Sequence, residues 1–319
     1  MNVRGRLIPA AAVTAVTALG IGTLSACSGD SAAAANTGKF DVVASFYPMA
    51  FLAEQIGGGH VHVTTLTSPG QEPHDLEIGP RQIATLEESD AVLYLKNLQP
   101  SVDDAVAQSS LRTKIEAASL TTLEDHGNEV GGHAAAHDAD EGGESAGKDP
   151  HIWLDPVRYA QVAEGVGKAF EKADPDHAAA YRKNTTDLVR KLNDLDRQFR
   201  AGLAGSKKKV FITTHAAFGY LAERYGLTEE AINGLDPESE PSAARVKDLE
   251  KMAEADGVTT VFYETLVSDK TARTVAGDAG LKTDVLDPIE GITDKSRGKD
   301  YFSVQQANLR ALQQALGAK

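Results

Sequence analysis

From Asp176 to Arg200 the chain has no proline or glycine, and Tyr181, Leu188, Leu192, Leu195 and Phe199 recur on one helical stripe. Asp174 and Pro175 precede this run as an N-cap and a first helical position. A helix over 175–203 would span about 40 Å, long enough to act as a stiff strut. On its N-terminal side, runs at 42–46, 61–67 and 90–95 read as strands, with helices at 49–56 and 81–88. On its C-terminal side, 209–214, 259–263 and 283–286 read as strands, and 216–225, 242–255 and 270–279 as helices. Alternation of this kind favours parallel sheets covered by helices. The expected fold is therefore α/β, with two lobes, each a short mainly parallel sheet flanked by helices, joined by one long rigid linker helix. A second amphipathic helix, 157–172, precedes the linker with Val162, Val166, Ala169 and Phe170 on one side.

The first residues stand outside this pattern. Arg4 and Arg6 precede an apolar stretch without acids that ends at Ala26, which reads as an export signal. Leu24-Ser25-Ala26-Cys27 resembles a bacterial lipoprotein processing box, which implies cleavage before Cys27 and a lipid on its thiol. Cys27 is the only cysteine, so no intramolecular disulfide is possible. The chain divides into a signal peptide (1–26), a lipid-anchored tether (27–38), an N-terminal lobe (39–156) with an acidic loop at 124–149, a helical segment (157–203) containing the linker helix 175–203, and a C-terminal lobe (204–319). The formal charge of −14 argues against nucleic acid or an anionic membrane as a partner and suits a cationic ligand.

Four residues in separate loops have metal-binding chemistry. His74, His151 and His215 offer imidazoles and Asp287 a carboxylate, a mixed set that suits zinc. His215 and Asp287 follow predicted strands, as does Glu264, and open parallel sheets bind ligands beyond their strand ends. His74 and His151 would supply the facing edge of a cleft between lobes. His60, His62 and His177 read as surface residues, and Trp153 and Leu154 as packing that fixes His151. A zinc hydrolase would need a general base as well, but no His-Glu-x-x-His occurs and His74-Asp75-Leu76-Glu77 has no second histidine at helical spacing. No Gly-x-x-x-x-Gly-Lys-Ser/Thr loop for nucleotide phosphates is present either.

Gly70-Gln71-Glu72-Pro73-His74-Asp75-Leu76-Glu77, Asp149-Pro150-His151-Ile152-Trp153-Leu154-Asp155-Pro156, Phe211-Ile212-Thr213-Thr214-His215-Ala216 and Leu286-Asp287-Pro288 stand in an order that resembles one family. It is that of the zinc- and manganese-specific solute-binding proteins of ABC transporters, in particular the zinc-uptake lipoproteins. The resemblance implies that His74, His151 and His215 are ligands and that Asp287 holds the carboxylate position, with Glu264 or water as the alternative. Glu264 has a second reading as the acceptor that orients an imidazole. Manganese-type members tend to carry glutamate at the third position, so His215 favours zinc over manganese. Zinc-type members also carry a histidine-rich acidic loop before the second motif. Here that loop holds His126, His133 and His137, which makes it either an accessory zinc site or a solvated insertion. The implied protein is not an enzyme. It is a monomer anchored by lipid to the outer face of the plasma membrane, which captures zinc and delivers it to a membrane permease with a separate ATPase. A manganese-specific binding protein, a zinc-dependent hydrolase and a surface adhesin are the other readings.

Overall fold

The computed structural model describes residues 38–126 and 148–318. The signal peptide, Cys27, His133 and His137 therefore lie outside the described residues. The N-terminal lobe contains β1 (Phe40–Ala44), α1 (Tyr47–Gly57), β2 (Val61–Thr65), α2 (Pro80–Glu88), β3 (Ala91–Tyr94), α3 (Pro100–Gln108) and β4 (Thr113–Glu116). Two long helices follow, α4 (Pro156–Ala173) and α5 (Ala178–Leu203). The C-terminal lobe contains β5 (Val210–Thr213), α6 (Gly219–Tyr225), β6 (Thr228–Ala231), α7 (Ala243–Ala255), β7 (Thr260–Tyr263), α8 (Lys270–Asp278), β8 (Lys282–Val285) and α9 (Tyr301–Leu316).

Both sheets are parallel and repeat one topology, β2-β1-β3-β4 and β6-β5-β7-β8. The chain moves to one side of the first strand and then crosses to the other. This leaves a crevice at the carboxyl ends of β1 and β3, and another at those of β5 and β7, where side chains can reach a ligand. Alternation along β1 sets the layers: Val42 and Ala44 join the central core, while Val43 packs outward with Leu66, Leu86, Val92, Val102 and Val106. The C-terminal sheet is covered outside by Leu249 and Ala253 of α7 and Ala272, Val275 and Ala276 of α8. One continuous apolar core runs through both lobes and includes Phe46, Trp153, Tyr159, Phe199, Phe211 and Tyr301.

The linker starts slightly later than the sequence predicts. Pro175–His177 forms a 3-10 turn, and α5 begins at Ala178. Asp174 caps no backbone amide. Its carboxylate instead takes His177 Nδ1 at 2.8 Å and the Tyr181 hydroxyl. The expected stripe is buried, and α5 packs on α1 and α4 toward one lobe and on α6 and α9 toward the other. Gly167 permits the close crossing of α4 and α5, since a Cβ there would stand 2.2 Å from Thr185 Oγ1.

Candidate metal centre

The loop after β2 presents His74, whose amide donates to Glu72 Oε2 at 2.8 Å. Burial, with the charge of Glu290 added, pushes the Glu72 carboxyl up to about 8. His151 opens a 3-10 turn before α4, and the residues around it divide the work of fixing it. Asp149 Oδ1 accepts both from the His151 amide at 2.9 Å and from Nδ1 of its ring at 2.7 Å. Trp153 Nε1 donates to Pro288 O at 2.6 Å, which ties this turn to the C-terminal lobe. Asp155 caps α4 through the Val157 amide and is gripped by Arg224 of α6 at 2.6–3.0 Å.

His215 follows β5. Its Nδ1 lies 2.8 Å from Glu264 Oε1, which also accepts from the Thr214 hydroxyl at 2.6 Å. Glu264 follows β7, so the ligand and its orienting acid meet at the crevice of the C-terminal sheet. Glu229 of β6 steadies the same loop by accepting from the Phe218 amide and the Thr213 hydroxyl, and burial pushes its carboxyl up to about 7.

The fourth group is Glu290, which corrects the expectation for Asp287. Asp287 is buried near the site, but its oxygens are turned to the Ile289 amide at 2.8 Å and the Thr265 hydroxyl at 3.1 Å. Asn308 clamps its backbone on both sides, accepting from the Asp287 amide and donating to its carbonyl. Ile289, between Asp287 and Glu290, takes φ 59°, and Glu290 then joins the three imidazoles. Glu290 Oε1 lies 3.4 Å from His74 Nε2 and 3.6 Å from both His151 Nε2 and His215 Nε2.

All four ligand atoms lie within 4.8 Å of one another. A tetrahedron with metal–ligand bonds of about 2.0–2.1 Å has edges of about 3.3–3.4 Å, so three of the separations already approach that geometry. His151, His215 and Glu290 are fully buried, whereas the His74 side chain keeps 12% exposure and marks the side open to solvent. His151 Nε2 and His215 Nε2 are buried without a hydrogen-bond partner, and a cation beside Glu290 Oε1 would satisfy both. With Nδ1 of His151 and of His215 held by carboxylates, each Nε2 lone pair can face a metal. Burial alone would lower the pKa of both rings, but Asp149, Glu264 and Glu290 outweigh it and hold His151 above its ordinary value and His215 well above it. The three imidazoles in turn overcome burial at Glu290 and hold its carboxyl well below the usual range.

The other candidates lie apart from this cluster. His60 stacks on His177 at 4.2 Å, His62 pairs with Asp41 at 3.2 Å, and His126 sits behind Asp149. Glu290 was missed because nothing in Pro288-Ile289-Glu290-Gly291 sets it apart from a surface acid.

Known proteins of similar sequence and fold are zinc-binding or zinc-uptake proteins by name. The zinc-binding lipoprotein AdcA of Streptococcus pneumoniae strain R6 is 35% identical over 283 residues, covering 87% of this chain and 56% of its own length. The high-affinity zinc uptake system protein ZnuA of Bacillus subtilis is 33% identical, covering 88% of this chain and 89% of its own. This chain thus spans little more than half of its streptococcal relatives. The crystal structure of the Zn(II)-bound ZnuA-like domain of S. pneumoniae AdcA matches with a TM-score of 0.70 at 32% identity, covering 88% of this chain and 99% of that domain. A family profile described as zinc-uptake complex component A, periplasmic, matches residues 42–315, and the chain belongs to that family.

Proposed function

We propose that this protein is the extracytoplasmic zinc-capturing component of an ABC uptake system. The observation that supports it best is the single Glu290 oxygen held 3.4–3.6 Å from three imidazole Nε2 atoms in a buried pocket. Three borderline nitrogens and one hard oxygen suit zinc, whereas manganese sites are richer in oxygen. His74, His151, His215 and Glu290 hold the ion, and no bond of the cargo is made or broken beyond coordination. Zinc arrives from the His74 side, where the ligand is partly exposed. With α5 packed along both lobes, capture orders local loops and involves no wide hinge. Residues 1–26 are removed, Cys27 bears the lipid that holds the chain at the outer face of the plasma membrane, and the loaded protein docks on a membrane permease driven by a separate ATPase. The lobes extend over 39–156 and 204–319, with the helical segment 157–203 between them.

Competition titrations of zinc and manganese against a chelator test this reading. We expect one tightly bound zinc per chain, weaker manganese, and in Glu290→Gln a loss exceeding the ~10–100-fold seen for changes outside the ligand shell. A manganese preference, or unaltered zinc affinity in Glu290→Gln, would refute it.

A further inference from the structure

Asp149 serves two histidines. Its Oδ1 accepts from His151, while its Oδ2 lies 3.1 Å from Nδ1 of His126, and Asp149 itself is fully buried. His126 is not a surface residue of the acidic segment, since only 8% of it is exposed. Its Nε2 lies 3.3 Å from Glu223 Oε2, on a side chain that is 59% exposed.

The seat of His126 is built from several elements. A Cβ on Gly219 would stand 2.3 Å from the Cβ of His126, so the first residue of α6 must be glycine for the ring to fit. Tyr220 meets the imidazole edge-on with ring centroids 4.4 Å apart. The Tyr220 hydroxyl donates to Asp149 O at 2.8 Å and accepts from the Glu124 amide at 2.8 Å. The Asp149 amide donates to Glu124 O at 3.0 Å, so the two strands of chain leading into and out of 127–147 are fastened together here. A line of polar groups runs from solvent inward: Glu223, His126, Asp149, His151.

We propose that His126 is a positioning residue of the metal centre, which acts on His151 by fixing the carboxylate of Asp149. This rests on the zinc-capture reading of the site. With Oδ2 engaged by His126, Oδ1 stays aligned on the His151 ring, and Nε2 of that ring stays aimed at the metal. Without the His126 donor, the carboxylate is held only through Oδ1, by the amide and ring of His151 itself, and the aim of His151 loosens. His126 is thus a brace rather than an accessory ligand.

Zinc titrations on the full chain, read by chelator competition, with melting curves as a check on folding, test the idea. His126→Ala is expected to lower zinc affinity by about tenfold, the lower end of what such outer contacts contribute. An asparagine places its amide nitrogen where Nδ1 of the imidazole stands, and a glutamine places its own where Nε2 stands. His126→Asn should therefore restore most of the affinity, and His126→Gln should not. His126→Ala combined with Asp149→Asn should bind no more weakly than Asp149→Asn alone, because the two act in series. No loss in His126→Ala, or equal losses in the Ala, Asn and Gln variants, would overturn the proposal even if the parent binds zinc tightly. Should the parent bind no zinc, the zinc-capture reading itself fails.

Discussion

Asp287 and Glu290 belong to one turn, yet only Glu290 reaches the three imidazoles. The backbone of Ile289 decides between them. A β-branched residue at φ 59° sits in the left-handed region, at a cost of roughly 1–3 kcal/mol, and it persists only when its surroundings enforce it. Asp287 supplies much of that enforcement by accepting from the Ile289 amide and the Thr265 hydroxyl. This explains what the sequence could reveal at this level. The histidines were legible because each stands in its own motif at the end of a structural element. Glu290 was not, because isoleucine rarely adopts the conformation that turns it inward. Asp287→Ala is expected to lower zinc affinity by ~10–100-fold by freeing the turn that aims Glu290. Asp287→Asn keeps an acceptor for the Ile289 amide and should stay close to the parent. Equal losses in both variants, measured by chelator competition, would show that charge at 287 matters and turn geometry does not.

Among the elements, α5 and the apolar strands were readable, whereas α3, β4, β6 and the 16-residue α9 were not read from the sequence. The helical stripe of α5 and the apolar runs of β1, β3, β5 and β7 carry their own burial pattern. β6 reads Thr228-Glu229-Glu230-Ala231, which has no strand signature, and it forms because donors distant in sequence satisfy its acids. Glu229 is satisfied by Thr213 and Phe218, and Glu230 by Arg245. β4, Thr113-Lys114-Ile115-Glu116, is hidden in the same way, with one buried apolar side chain. The turn from Asp149 to Pro156 was the most informative stretch because nearly every side chain in it has a separate task. Trp153 joins it to the C-terminal lobe, since its indole N–H meets Pro288 O and its carbonyl receives the Tyr301 hydroxyl at 2.6 Å. Trp153→Phe keeps most of the packing but leaves the Pro288 carbonyl without its donor. A loss of about 1–3 kcal/mol in the stability of the metal-free protein is expected by chemical denaturation. Unchanged stability would mean that this contact between lobes contributes no net energy.

Across the entire chain, metal affinity and folding stability are linked through the same protons. His151 and His215 have folded-state pKa values raised above the ordinary one, because Asp149, Glu264 and Glu290 outweigh the opposing effect of burial. A raised group stabilises the fold fully below its unfolded value, roughly 6.5 for histidine, and that contribution is lost as pH rises through the folded value. Glu290 has the opposite sign. Its contribution is present above its unfolded value, about 4.3, and is lost as pH falls through its depressed folded value. The metal-free protein should therefore lose stability on both sides of a maximum in mildly acid solution. On the zinc-capture reading, zinc replaces those protons as the charge that holds Glu290, and it requires neutral imidazoles, so its binding strengthens as pH rises. Its stabilising increment grows as affinity grows. Melting curves recorded with and without a fixed excess of zinc, between about pH 6 and about pH 8, should diverge as pH rises, the metal-free curve falling and the loaded one holding. A constant gap over that range would mean that zinc displaces no protons from His151 and His215. The raised pKa values would then have no part in capture, and the imidazoles would already be neutral in the metal-free chain.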